Sequence, residues 1–228
     1  MIETPGVGLW RGTLLVAGKE LRAEARGWIA VQGLALFAAL AVLMFSFSLG
    51  PDGETLRRLA PGLLWLAVTL ASLLSAGRSF AVEHDAGTLE SLLVHPLPRE
   101  AVFLGKALAA FLLLGTVAIG ALALEAALYG LPAPGSGAML LAGLIAAPAG
   151  LAMAGTYYGA VSASAPAREA LLPMLLLPVL VPLLIASTQV TTAAFAGDDA
   201  LGWLALLVAF DGILLALAVA TFPFLLEQ

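Results

Sequence analysis

Six apolar blocks, each long enough to cross a bilayer and separated by short polar stretches, decide what this chain can become. AVFLGKALAAFLLLGTVAIGALALEAALY is typical of them. A helix needs about 20 mostly apolar residues to cross a hydrocarbon core roughly 30 Å thick. Hydrophobic residues make up 61% of the 228 and charged residues 11%, whereas soluble domains carry roughly a quarter charged residues. The expectation is an all-α polytopic membrane protein, one membrane domain over 1–228 with no room for a separate soluble one.

The spans are expected at 28–49, 59–77, 101–129, 137–163, 169–188 and 200–226. GPDGETLRR, GLPAPGSG, SASAPARE and TTAAFAGDD read as the turns between them. Pro61 stands in the first turn of its span, where a missing N–H costs little. Ahead of the spans, 9–27 reads LWRGTLLVAGKELRAEARG. Leu14, Leu15, Gly18, Leu21 and Ala25 recur at helical spacing, with Arg11, Lys19, Glu20, Arg22, Glu24 and Arg26 on the other side. This is the pattern of an amphipathic helix lying in the lipid interface; a solvated helix is the alternative.

Orientation follows from the basic residues. With the N-terminus cytoplasmic, Arg11, Lys19, Arg22, Arg26, Arg78, Arg99, Lys106 and Arg168 lie inside, and only Arg57 and Arg58 outside. Both termini are expected in the cytoplasm. Trp28, Trp203, Tyr129, Tyr157 and Tyr158 fall near span ends, as an aromatic belt would place them. The start MIETPGVGLW carries an acid before any base, so no cleavable signal peptide is expected.

Several chemistries are excluded. There is no cysteine, hence no disulfide, thiolate metal site or C-x-x-C-H haem attachment. A net charge of −5 without a clustered basic surface argues against nucleic acid. GTLLVAGKE, Gly12 to Glu20, is the nearest approach to a phosphate-binding loop. It has one spacer too many and Glu20 replaces the Mg²⁺-binding hydroxyl. If the protein uses ATP, the ATPase is another chain. No histidine lies in a span, so an intramembrane serine protease lacks its base.

Two acids lie within spans, where ionisable groups are costly and often functional. Glu125 is placed close enough to a span end to reach the headgroups. Asp211 sits mid-span in LLVAFDGILL, open to a structural or a proton-transport role. Pro173, Pro178 and Pro182 mark kinks in the fifth span, which is expected to face a partner helix or a path, or to be merely bent. Gly143, Gly150, Gly155 and Gly159 give the fourth span a close-packing face.

RSFAVEHDAGTLESLLVHPLPRE, 78–100, concentrates polar residues and holds both histidines, His84 and His95. Asp85 and Thr88 can open a helix, and Pro96 ends it. A short amphipathic cytoplasmic helix over 83–95, strapped between two spans, is the reading; an ordinary interfacial loop is the alternative.

Residues 60–109, with APGLLW and RSFAVEHDAGTLESLL, resemble the haem exporter B family. That family is cytochrome c maturation protein B, the permease subunit of the cytochrome c maturation ABC transporter. The likeness continues in AGKELRAEAR and AREALLPMLLLPVLVPLLIAST. It implies an ABC-2-type exporter permease without an ATPase site of its own, in a bacterial inner membrane. It implies a cytoplasmic ATPase subunit, cytochrome c maturation protein A, which uses the ATP. A haem-handling membrane subunit, cytochrome c maturation protein C, is the other partner it implies; apart from the resemblance, a second copy of the chain is open as a partner. Haem is implied as a transported or handled ligand rather than a resident cofactor. The segment 83–95 would be the coupling helix, with Glu83, Asp85, Thr88, Leu89, Glu90 and Leu92 its coupling residues; Lys19 to Arg26 would brace the same partner. Rival readings are a permease for a drug, lipid or polysaccharide, and a proton-coupled carrier using Asp211.

Overall fold

A computed structural model describes residues 8–27, 29–50, 52–85, 98–163, 165 and 167–225. Among the described residues it contains seven helices and no strand: α1 (Leu9–Gly27), α2 (Ile29–Leu49), α3 (Gly53–Asp85), α4 (Arg99–Tyr129), α5 (Gly137–Ser162), α6 (Arg168–Ala196) and α7 (Leu201–Leu225). Six of them, α2 to α7, are long and apolar enough to cross a membrane. They run up and down, so the bundle has two ends. The near end carries α1 and the starts of α4 and α6. The far end carries the connections at 50–52, 130–136 and 197–200.

Short caps shape the far end. The Asp52 carboxylate accepts from the Glu54 N–H (3.1 Å) and the Thr55 hydroxyl (2.6 Å) and so opens α3. The Thr55 hydroxyl and these backbone N–H groups hold the Asp52 carboxyl below its ordinary value. The Ser136 hydroxyl accepts from Met139 N–H at the start of α5. The Asp199 carboxylate accepts from Leu201 N–H at the start of α7. Gly130 (φ 61°) and Gly197 (φ 78°) end α4 and α6 in the left-handed region, which favours glycine. The loop before α5 is clipped to the end of α6: Gly135 N–H donates to Phe195 O and Ser136 N–H to Ala194 O. A Cβ on Gly135 would stand 2.7 Å from Gly197 Cα.

Two helices run longer than the sequence suggests. Asp52 starts α3 at Gly53 rather than 59, which puts Pro61 inside the helix rather than in its first turn. The TTAAFA segment, expected as loop, continues α6 to Ala196. Its threonines are satisfied within the bundle: the Thr192 hydroxyl donates to Thr188 O, and Thr191 accepts from the buried Trp65 indole at 2.8 Å.

Helix α5 packs against α3, α4, α6 and α7. Its buried face is nearly all small: Gly143, Ala146, Ala147, Gly150, Ala154, Gly155 and Gly159. Small residues let helix backbones approach in a membrane, where apolar burial alone does not drive association. A Cβ on Gly143 would lie 3.0 Å from Val190 of α6, and one on Gly155 would lie 3.2 Å from Ala76 of α3. The glycines therefore serve different neighbours, not one dimer-like seam. At the rim, α2 exposes Leu36, Met44 and Phe47, and α7 exposes Val208 and Ile213, as lipid-facing surfaces do.

Candidate functional site

The near end gathers most of the residues expected to act on a partner. Helix α1 buries Gly12, Thr13, Val16 and Ala17, not the Leu14–Leu15 side expected from the sequence. Leu14 and Leu15 are exposed, as is Trp10 at 76%. The reason is Gly105 in α4: any Cβ there would collide with Val16, so the branched Val16 settles onto a bare helix backbone. The larger leucines are left on the outside. At 100° per residue, α1 then presents three sides. Val16 and Glu20 face α4, Trp10, Leu14 and Leu21 form an apolar strip, and Arg11, Lys19 and Arg22 form a basic one.

An ion pair fastens this contact. Lys106, on the second turn of α4, is 2% exposed. Its Nζ lies 2.9 Å from Glu20 Oε1, and Lys19 Nζ lies 3.3 Å from the same oxygen. Burial pushes the Glu20 carboxyl up, but the Lys106 and Lys19 ammonium groups outweigh it and hold the carboxyl below its ordinary value. The sequence reading counted Lys106 as one more cytoplasmic base and missed this role. Nothing in the sequence marks it, since the docking of α1 on Gly105 shows only in the fold. A second carboxylate of α1, Glu24, accepts from Val31 N–H at 2.7 Å and so caps α2.

The polar stretch enters the structure differently from expectation. Helix α3 does not stop near Gly77; it runs on through Arg78, Glu83 and His84 to Asp85. At 1.5 Å per residue its 33 residues measure about 50 Å, well beyond a hydrocarbon core of roughly 30 Å. The last eight residues therefore project about 12 Å past the apolar part of the helix. Asp85 is the last described residue of α3, and no turn residue interrupts the helix between Arg78 and Asp85. Thr88, Leu89, Glu90, Leu92 and His95 lie outside the described residues, as do Trp28 and the side chains of Arg26, Glu83 and Asp85.

Aromatic residues lock the same end. Phe103 and Phe222 pack with ring centroids 5.3 Å apart, joining α4 to α7. The Tyr157 and Thr221 hydroxyls are hydrogen-bonded at 3.0 Å, joining α5 to α7. Tyr157 also meets Tyr158 edge to face. Tyr129, expected in an aromatic belt, is instead buried; its hydroxyl donates to Val42 O (3.0 Å) and its own carbonyl accepts from Arg57 Nε (3.0 Å). The aromatic ring turns inward because the second turn of α2 from the far end offers it a carbonyl.

The two intramembrane acids are not near each other. Asp211 lies on the packing stripe of α7, Leu207, Asp211, Leu214, Ala218 and Phe222, at mid-height. A Cβ on Gly150 would meet both its Oδ1 and the Leu183 side chain. Oδ1 is buried without a hydrogen-bond partner. Glu125 does not reach headgroups; it is fully buried, with both carboxyl oxygens unpartnered. Its place on the inner stripe of α4, between Ala121 and Tyr129, turns it into the bundle. Pro173, Pro178 and Pro182 all stand within an unbroken α6, with Pro178 and Pro182 exposed on the chain's own surface.

Comparison with known proteins adds a family. The model of the CcmB protein family matches residues 12–226. The heme exporter protein B of Paracoccus denitrificans is 37% identical over 210 residues, 90% of this chain and 93% of that protein. The heme exporter protein B of Rhodobacter capsulatus is 41% identical over 153 residues, covering 67% and 69% of the two chains. That of Pseudomonas aeruginosa is 32% identical over 188 residues, covering 81% and 84%.

Proposed function

The chain belongs to the CcmB protein family, and from that premise we propose that it is the membrane permease subunit of an ABC transporter serving c-type cytochrome maturation. It has no ATPase site of its own. A separate cytoplasmic ATPase subunit supplies the energy, and a haem-handling membrane subunit receives the work. The work is transfer of haem or release of a haem-loaded chaperone. The near end faces the cytoplasm of a bacterial inner membrane, since eight of the ten Lys and Arg residues lie there.

One observation carries the mechanical part: the Glu20–Lys106 pair at 2.9 Å. It ties α1 to the start of α4, the helix that leaves the polar stretch. A push from a soluble partner on 83–95, or on the basic strip of α1, therefore arrives at the same helix. Arg22 and Lys19 are exposed on that strip and suit an acidic rim on the ATPase. Haem is cargo in this reading, so the residues argued to act are Glu83, Asp85, Thr88, Leu89, Glu90 and Leu92 for docking, and Glu20 and Lys106 for transmission.

The test is purification of the complex from native membranes with its ATPase activity and haem absorption measured. The ATPase subunit should copurify. Glu83→Lys with Glu90→Lys should weaken that copurification, and Lys106→Met should preserve it while lowering haem delivery. An ATPase subunit that is absent, or indifferent to changes at 83–95, would overturn the reading. The carrier reading draws on Asp211 against Gly150, and predicts that Asp211→Asn abolishes function while the 83–95 changes do little.

A further inference from the structure

We propose that Glu125 is a proton-binding site built into the far end of the bundle, carrying its proton as a neutral carboxylic acid when α2, α3 and α4 are packed as they are. The ligand is a proton exchanged with water at the far face. The site does not depend on the transport reading above.

The argument begins with placement. Leu114, Val117, Ala118, Ala121, Glu125 and Tyr129 form the inner stripe of α4. Around Val117 and Tyr129 of that stripe cluster the apolar side chains Ala38 and Val42 of α2 and Leu56, Ala60 and Ala67 of α3. Within it Glu125 is 0% exposed and neither Oε1 nor Oε2 has a donor. The one polar side chain a helical turn away, Tyr129, has given its O–H to Val42 O.

The charged groups on every packed element leave this carboxyl without a counterion. Helix α2 contains no ionisable residue. At this end α3 offers Glu54, Arg57 and Arg58, all exposed, and the Nε of Arg57 is held on Tyr129 O. The titratable groups of α5, Tyr157 and Tyr158, lie at the near end. In α7 the only one is Asp211 at mid-height. The charges of α1, and Arg99, Glu100 and Lys106 of α4 itself, are at the near end.

An isolated carboxylate in such surroundings costs so much that the group neutralises instead. Binding is one step: the carboxylate oxygen takes a proton from hydronium and water is released; the reverse returns it. Unpartnered ionisable groups in a membrane mark function more often than packing. The cation of α3 fastened at this end is Arg57, held on the α4 backbone one turn beyond Glu125.

Infrared spectroscopy of the full chain in lipid nanodiscs at neutral pH tests this. The wild-type minus Glu125→Gln difference should show one carboxylic-acid C=O band, above the amide I region, that shifts in D₂O and survives Asp211→Asn. A difference containing only ionised-carboxylate bands overturns the proposal, as does an acid band that Asp211→Asn alone removes. Should Glu125→Gln fail to accumulate, wild-type protein with ¹³C-labelled glutamate carboxyls gives the same reading. The acid band should move down with the label, and a band that stays put belongs to an aspartate and overturns the assignment.

Discussion

Removing the Glu20 carboxylate isolates the sign of one buried interaction. Its folded value is held below the ordinary one by Lys106 and Lys19. A depressed carboxylate stabilises the fold above its unfolded pKa, and that contribution disappears as pH falls through the folded value. Glu20→Gln should therefore cost about 1.5–3 kcal/mol at neutral pH, the worth of a hydrogen bond to a charged group. The gap between variant and wild type should close in acid. Thermal unfolding in detergent across pH measures it; a gap that does not narrow would detach Glu20 from Lys106. At this scale the sequence was a partial guide. It marked Glu20, Asp211 and Glu125 as residues of interest. It could not say that Lys106 is buried, because a single lysine near a span end looks the same whether it meets water or an α1 carboxylate. It likewise put Glu125 at the headgroups, since distance from a helix end says nothing about the direction a side chain points.

Helix α5 makes the case for elements. Its packing depends on missing side chains, most sharply at Gly150, where Leu183 of α6 and Asp211 of α7 close on bare backbone. Gly150→Ala should push both back and cost about 1–3 kcal/mol, as overpacking does. Gly155→Ala, with a 3.2 Å approach to Ala76, should cost less. The ratio of folded to unfolded protein in a denaturant series ranks the two, and equal costs would mean that α5 has room to slide. The helices themselves were largely legible: α1 covers the expected 9–27, and α2, α4, α5 and α7 start and stop within about two residues of the expected bounds. The misses were α3 and α6. In both, a capping or hydrogen-bonding partner far away in sequence or just outside the apolar run extends the helix. Thr191 reads as loop chemistry until the Trp65 indole, 126 positions away, is seen to fill its hydroxyl.

For the molecule as a whole, the chain's lack of cysteine makes its orientation directly measurable. A single Asp198→Cys at the far end should react with a membrane-impermeant maleimide in intact cells freed of outer membrane. Arg22→Cys at the near end should react only after permeabilisation. The opposite pattern would invert the protein and remove the basis for an ATPase docking beside α1. The class of fold was evident from the six apolar blocks, because bilayer thickness sets helix length. Which face each helix buries was not, because burial follows from contacts among helices that are equally apolar in sequence.

The clip between Gly135 and Gly197 has a mechanical meaning. Two main-chain hydrogen bonds pin the α4–α5 connection to the end of α6, and no side chain fits between the two backbones. The clip fixes the start of α5 against the end of α6. With α5 about 39 Å long, a tilt of about 5° about that pivot swings its other end by about 3 Å. The displacement would be greatest at the near end, where the Phe103–Phe222 contact and the Tyr157–Thr221 hydrogen bond would have to give.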